Sequence, residues 1–242
     1  MSIRKVIGIH SCREALKIRK AQELKKMYLK QGWEKNSSLR ELANLAQVKN
    51  LQPEIVSIKK INRLIQSIEE LHQGVYLEIE HSFDFNKVSF SESATILVLD
   101  RVQDPRNFGA IIRTAWLMGV SALFISSKNS VGLTPSVVKS ASGGVEHVPI
   151  FVKDNLSQYL KELKNKKFWI YALDSRSSKL IWDENLKGPK VFILGGEGLG
   201  IRKSLKNICD ESLSIPQTEK NSNYNVSVVT AIVLSEALRQ TL

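Results

Sequence analysis

Three stretches of the chain combine residue types and spacings that suit chemistry better than packing. The first is DPRNFGAIIRTA (104–115), which follows the apolar run ILVL (96–99) and sets Arg113 among Ala110, Ile111, Ile112 and Ala115. An arginine with a purely structural task usually lies on a solvated face. A guanidinium fixed at the rim of a sheet can instead grip a phosphate bidentately. The structural alternative is an arginine bonded to loop carbonyls or to a carboxylate. Asn107 stands about two turns earlier and can share a pocket with Arg113, and Gly109 permits close packing near the helix start.

The second stretch is LGGEGLGI (194–201), directly after VFIL (191–194). Its glycines let backbone approach a ligand, accept unusual φ and line a pocket with N–H groups. It lacks the Lys-Ser/Thr of a phosphate-binding P-loop, and no acidic residue ends the next strand as a nicotinamide ribose requires. Glu197 is the odd member. A loop needing only flexibility does not ask for a carboxylate, although a solvated turn would tolerate one. Glu197 is expected to fix Arg113 by a charge-assisted bond. The third stretch is SIPQTEKNSNYNVSVVTAIVLSEAL (214–238), a strand end, a polar loop and an apolar helix. Asn225 can cap that helix, or Asn223 or Ser222 can do so and leave Asn225 for substrate. Val226, Val229, Ile232 and Val233, with small Ala231 and Ala237, make a stripe that fits either core or a helix-packing subunit interface.

These stretches need a scaffold. Beyond residue 94, apolar runs at 96–99, 122–126, 168–173, 191–194 and 212–216 alternate with helical segments at 107–118, 135–142, 155–165, 202–208 and 226–240. Strands buried on both faces and alternating with helices predict a parallel sheet in an α/β domain, with ligands at the strand ends. Thr134-Pro135 reads as an N-cap followed by proline at the first helical position. The front of the chain reads as a separate α/β unit. Its expected strands are 6–9, 24–30, 54–58 and 74–79, and its expected helices follow Ser11 and cover Leu39–Val48 and Ile61–Leu71. Ser11-Cys12-Arg13-Glu14 predicts a capping box. The polar, Ser-rich stretch 80–94 reads as a linker. The expected division is 1–80, a linker at 81–93, and 94–242.

The 242 residues carry a formal charge of +11, and 43% are hydrophobic, which predicts a folded core and a polyanionic partner. Residues 1–40 hold eleven Lys/Arg against three acids. Cys12 and Cys209 are too few and too far apart for a zinc site or a disulfide framework, and fit a reducing cytoplasm. No metal is expected. Neither a signal peptide nor a membrane-spanning run of about 18 apolar residues is expected. His10, His72, His81 and His147 stand in no catalytic constellation.

Taken together and in this order, DPRNFGAIIRTA, GGEGLGIR and IP followed by NVSVVTAIVLSEALRQ resemble the three motifs of the SpoU/TrmH group of the SPOUT superfamily. These are S-adenosylmethionine-dependent ribose 2′-O-methyltransferases of RNA. PSVVKSASGGVEHVPI (135–150) is similar to the group's connecting segment. VIGIHSCREALK and HQGVYLEI resemble the L30e-like RNA-binding domain of members that methylate large-subunit ribosomal RNA.

The resemblance implies a parallel-sheet domain with a deep trefoil knot, a smaller L30e-like domain in front of it, and a homodimer formed through the C-terminal domain. It implies that Asn107, Arg113, Glu197 and Asn225 form the reaction centre and that Gly195, Gly196, Ile215 and Tyr224 hold S-adenosylmethionine. The implied substrate is a guanosine of 23S rRNA. The third motif departs from the usual S-L-N-V-S at Asn223 and Tyr224, and Glu219 replaces a usual glycine. The rival readings are a non-catalytic RNA-binding or ribosome-assembly factor, a transfer-RNA methyltransferase, and a nicotinamide-dependent enzyme that lacks its acidic partner.

Overall fold

The computed structural model describes residues 2–65, 72–81, 85, 88–219 and 222–242. From the N-terminus, β1 (Ser2–Ile7) leads through α1 (Ile9–Ile18), β2 (Leu24–Lys30), α2 (Ser37–Val48), β3 (Glu54–Val56) and α3 (Ile58–Ile65) to β4 (Val75–His81). Strands and helices then alternate: β5 (Thr95–Asp100), α4 (Pro105–Leu117), β6 (Ala122–Ser126), α5 (Pro135–Ser140), β7 (Ile150–Lys153), α6 (Leu156–Asn165), β8 (Trp169–Leu173), β9 (Lys190–Gly195), α7 (Lys203–Lys206), β10 (Glu211–Leu213) and α8 (Val226–Arg239). The chain divides into two compact units, Met1–Phe83 with Leu133–His147, and Asp84–Gly132 with Val148–Leu242.

The first unit holds a four-stranded sheet of order β1-β4-β2-β3, antiparallel except between β2 and β3. One of its core clusters joins Ile7, Val56, Ile61 and Ile65 to the stacked rings of Tyr28 and Tyr76. The expected capping box does not form. Gly8, at φ 85, turns the chain early enough for α1 to begin at Ile9, so Ser11 and Glu14 fall inside the helix. The Ser11 hydroxyl donates to the Val138 carbonyl, and Glu14 pairs with Lys17 and His147. Glu146 lies fully buried between two arginines. Arg4 Nη2 donates to Oε1, and Arg19 Nε donates to Oε2 at 2.9 Å. Burial pulls the Arg4 guanidinium below its usual pKa, and Glu146 works against that shift. Of the expected helix Ile61–Leu71, the described part starts three residues earlier, at Ile58. Residues 66–71 lie outside the described residues, as do 82–84 and 86–87 of the expected linker. Phe85, within that linker, is buried against Phe124, Phe151 and Tyr159 of the second unit. An aromatic ring with those neighbours belongs to a core and not to a solvated connection.

The second unit is built on a six-stranded sheet of order β10-β8-β9-β5-β6-β7, parallel throughout. The five expected strands are present. The sixth, β7, was not anticipated, because its four residues follow Pro149 and form the sheet edge beside β6. The chain runs outward from β5 to β6 and β7, then crosses to β8 and returns to lay β9 beside β5. The strand order reverses there, and such a reversal opens a crevice at the strand ends. Asp104 caps α4 by accepting from the Arg106 N–H at 2.7 Å, with Pro105 next in line. Thr134 caps α5 ahead of Pro135 as expected. α8 packs against α4 and β9. Its end is tied down by Gln240, which accepts from the Leu186 N–H and donates to the Glu184 carbonyl. Among the described residues no helix is long and apolar enough to cross a membrane.

Candidate active site

The register of the sheet brings two of the three sequence stretches together. Asp100, the last residue of β5, pairs with Gly195, the last residue of β9. The chain after β5 turns at Asp104-Pro105 and puts Asn107 in the first turn of α4. The chain after β9 forms a tight loop closed by a bridge between Gly196 and Gly200, with the Gly200 N–H on the Gly196 carbonyl at 3.1 Å. Glu197 lies inside that loop. The third stretch leaves β10 and reaches α8, whose packing on α4 and β9 brings Asn225 to the same place.

There the three side chains bond one another. Asn107 Nδ2 donates to Glu197 Oε1 at 2.6 Å, and Asn225 Nδ2 donates to the same oxygen at 3.1 Å. Asn225 Nδ2 also reaches Asn107 Oδ1 at 3.0 Å. Of the two tasks the sequence left open for Asn225, the side chain performs the cap, and its amide nitrogen meanwhile stays on Glu197 and Asn107. Its Oδ1 caps α8 by accepting from the Ser227 N–H at 2.8 Å and from the Ser227 hydroxyl at 2.7 Å. The cap therefore orients the amide, because a flipped group would turn its oxygen toward the carboxylate. Asn223 and Ser222 do not supply the cap.

Arg113 stands apart from this cluster. It is exposed and makes no hydrogen bond or ion pair among the described residues. Two expectations are corrected here. Six residues along a helix rotate a side chain by about 240°, so Asn107 and Arg113 leave α4 on different faces. Arg113 shares its face with exposed Arg106 and Leu117, seven and four residues away. Glu197 accordingly spends its bonds on two amides and not on the arginine. Arg106 is itself held by Asp104, and that guanidinium keeps the Asp104 carboxyl below its usual pKa.

Beside the Glu197 cluster lies a cavity of about 780 Å³, lined by residues 194–201, by Leu213, Ile215 and Tyr224, and by Val226 and Val229 of α8. Gly195, Gly196, Ile215 and Tyr224 are thus gathered around one space. Tyr224 is half exposed, with its hydroxyl on the Pro216 carbonyl at 3.3 Å. Asn223 also lines the cavity. Asp174, at the end of β8, lines it further along and holds Lys206 and Arg176. A cavity of this size, lined by apolar side chains and by glycine backbone, suits a ligand with a flat apolar part and polar edges.

The sequence reading missed Asp100 and Arg202. The Asp100 carboxylate is completely buried and takes three bonds from Arg202. An acid ending an otherwise apolar strand was the signal that could have found it.

Comparison with known proteins decides the family. Residues 94–235 match the model of the SpoU rRNA methylase family, which is more than half of the chain. The chain belongs to the SpoU rRNA methylase family. Residues 5–84 match a second model, RNA 2′-O ribose methyltransferase substrate binding. Among curated SpoU relatives, the 23S rRNA (guanosine-2′-O-)-methyltransferase RlmB of Shewanella oneidensis is 34% identical, over 97% of this chain and 96% of its own. Its counterpart in Pseudomonas putida is 32% identical, over 98% and 97%. Among solved structures, the SpoU methyltransferase AviRb of Streptomyces viridochromogenes, in complex with the cofactor AdoMet, superposes with a TM-score of 0.84 at 19% identity. That match covers 99% of this chain and 90% of AviRb. The SpoU fold expected from the three motifs is therefore the fold observed.

Proposed function

We propose that this SpoU protein transfers a methyl group from S-adenosylmethionine to the ribose 2′-hydroxyl of a guanosine in 23S rRNA. The observation that carries the proposal is the closure of Asn107, Glu197 and Asn225 on one another at the edge of the 780 Å³ cavity. The two RlmB relatives supply the substrate class.

The cavity fits the cofactor. Leu213, Ile215 and Val229 offer apolar surface to an adenine, and Glu197 offers negative charge to a cationic sulfur, whereas Asp174 is already matched by Lys206 and Arg176. When bound, S-adenosylmethionine supplies a methyl carbon made electrophilic by its positively charged sulfur. Gly195, Gly196, Ile215 and Tyr224 hold it on this reading. Glu197 fixes the two asparagine amides before RNA arrives, so that they orient the ribose without reorganising, one part of the roughly 7–11 kcal/mol that complete alignment of two reactants reaches. Arg113, exposed on another face of α4, grips a phosphate of the RNA.

Residues 1–80, with their excess of Lys and Arg, bind RNA through its phosphates, and 94–242 carry out the transfer. A second copy of the chain covers the exposed Leu117, Val228 and Leu238 of α4 and α8. The trefoil threading and a cytoplasmic location belong to the same reading. The test is transfer of a tritiated methyl group to RNA from cells lacking the protein. Labelling of 23S rRNA at one guanosine ribose is expected. Labelling of transfer RNA alone, or of neither, would contradict it.

A further inference from the structure

We propose that Asp100 and Arg202 are positioning residues that clamp the glycine loop at both ends and thereby set the affinity for S-adenosylmethionine. The inference rests on the reading of the cavity as the site of that cofactor.

Asp100 sits at the end of a central strand with no solvent exposure. Its backbone carbonyl accepts from the Gly196 N–H at 2.7 Å, at the entry of the loop. Its carboxylate accepts from the Arg202 N–H at 2.8 Å, at the exit. The Arg202 side chain closes the clamp, with Nε at 2.8 Å and Nη2 at 2.7 Å from Oδ1. One residue of β5 thus holds both ends of a loop whose interior, Glu197 to Ile201, lines the cavity.

The loop is drawn down hard. A Cβ on Gly196 would lie 2.0 Å from the Arg101 carbonyl oxygen, and one on Gly195 would lie 2.3 Å from the Gly200 carbonyl carbon. Arg101 itself is left-handed, at φ 63, a conformation that surrounding structure must enforce in a residue other than glycine. A buried carboxylate is tolerated only when paired and hydrogen-bonded, and a guanidinium plus a backbone N–H supplies both. A bond pattern serving stability alone would not need to join the two ends of the one loop that carries Glu197.

The test compares wild type, Arg202→Lys, Asp100→Asn and the double variant Asp100→Asn/Arg202→Gln. S-adenosylmethionine affinity is read by calorimetry, and amide hydrogen exchange is followed in the free protein. Arg202→Lys keeps the backbone bond and the charge but loses the planar fork. It should weaken S-adenosylmethionine binding at least tenfold and speed exchange within 195–202. The KM for RNA and exchange in the sheet should stay unchanged. Asp100→Asn should do more, and the double variant should cost less than the sum of the singles. If Asp100→Asn does not fold, Arg202→Lys still decides. Wild-type affinity and unchanged loop exchange in Arg202→Lys would overturn the clamp, as would faster exchange spread evenly over the sheet. A wild-type protein that binds no S-adenosylmethionine would overturn the reading of the cavity instead, a result the exchange data keep separate from the clamp.

Discussion

In the proposed reaction centre, Glu197 Oε1 accepts from the amides of both Asn107 and Asn225. Hydrogen bonds to a charged group contribute about 1.5–3 kcal/mol each. Glu197→Ala should therefore lower kcat by roughly ten- to a hundredfold, with the KM for RNA little changed. Single-turnover methyl transfer checks this, and undiminished transfer would remove Glu197 from the account. Arg113 answers to a different substitution. If its planar fork grips an RNA phosphate, Arg113→Lys should cost about tenfold in kcat/KM, the order of a hydrogen bond to a charged group. Turnover near wild type would exclude the fork. Glu197 was legible as odd because a carboxylate among glycines needs a reason, and so was Arg113 among apolar neighbours. The partners were not legible. Helical rotation separates Arg113 from Asn107, and the amide of Asn225 divides its two ends between a cap and a carboxylate. Both facts depend on side-chain directions that spacing alone leaves open.

At the scale of elements, α8 carries the site at one end and an anchor at the other. Arg239 and Gln240 hold the Glu236 carboxyl well below the usual carboxylate range, at about 2. A depressed carboxylate stabilises the fold fully above its unfolded value of about 4.3, and the contribution is lost as pH falls through the folded value. Urea unfolding of wild type and Glu236→Gln should thus differ by a constant amount above pH 5, and the difference should shrink toward pH 2. A difference that grew on acidification would contradict the assignment. Most elements could be read from the chain, since doubly buried strands and proline-led helices write themselves in runs and caps. β7 escaped because four residues after a proline give too short a run. The Ser11 box misled because Gly8 had already turned the chain.

At the scale of the whole molecule, the contacts assign Leu133–His147 to the first unit, although the segment lies between β6 and β7 in the chain. The buried bonds from Arg4 and Arg19 to Glu146 are part of what holds it there. Removing one partner of a buried ion pair costs about 3–5 kcal/mol, so Glu146→Gln should lower unfolding free energy by that order. A loss below about 1 kcal/mol, the level of an exposed pair, would contradict it. No periodicity could have shown this, because ion pairs across more than a hundred residues leave no local pattern. The same holds for the central claim, that Asn107, Glu197 and Asn225 meet beside a bound cofactor. A crystal structure of the protein with S-adenosylmethionine tests that most directly. The account predicts the cofactor in the cavity between residues 194–201 and Ile215, with its methyl carbon facing the two asparagine amides. A methyl group turned away from them, or a cofactor bound elsewhere, would contradict it.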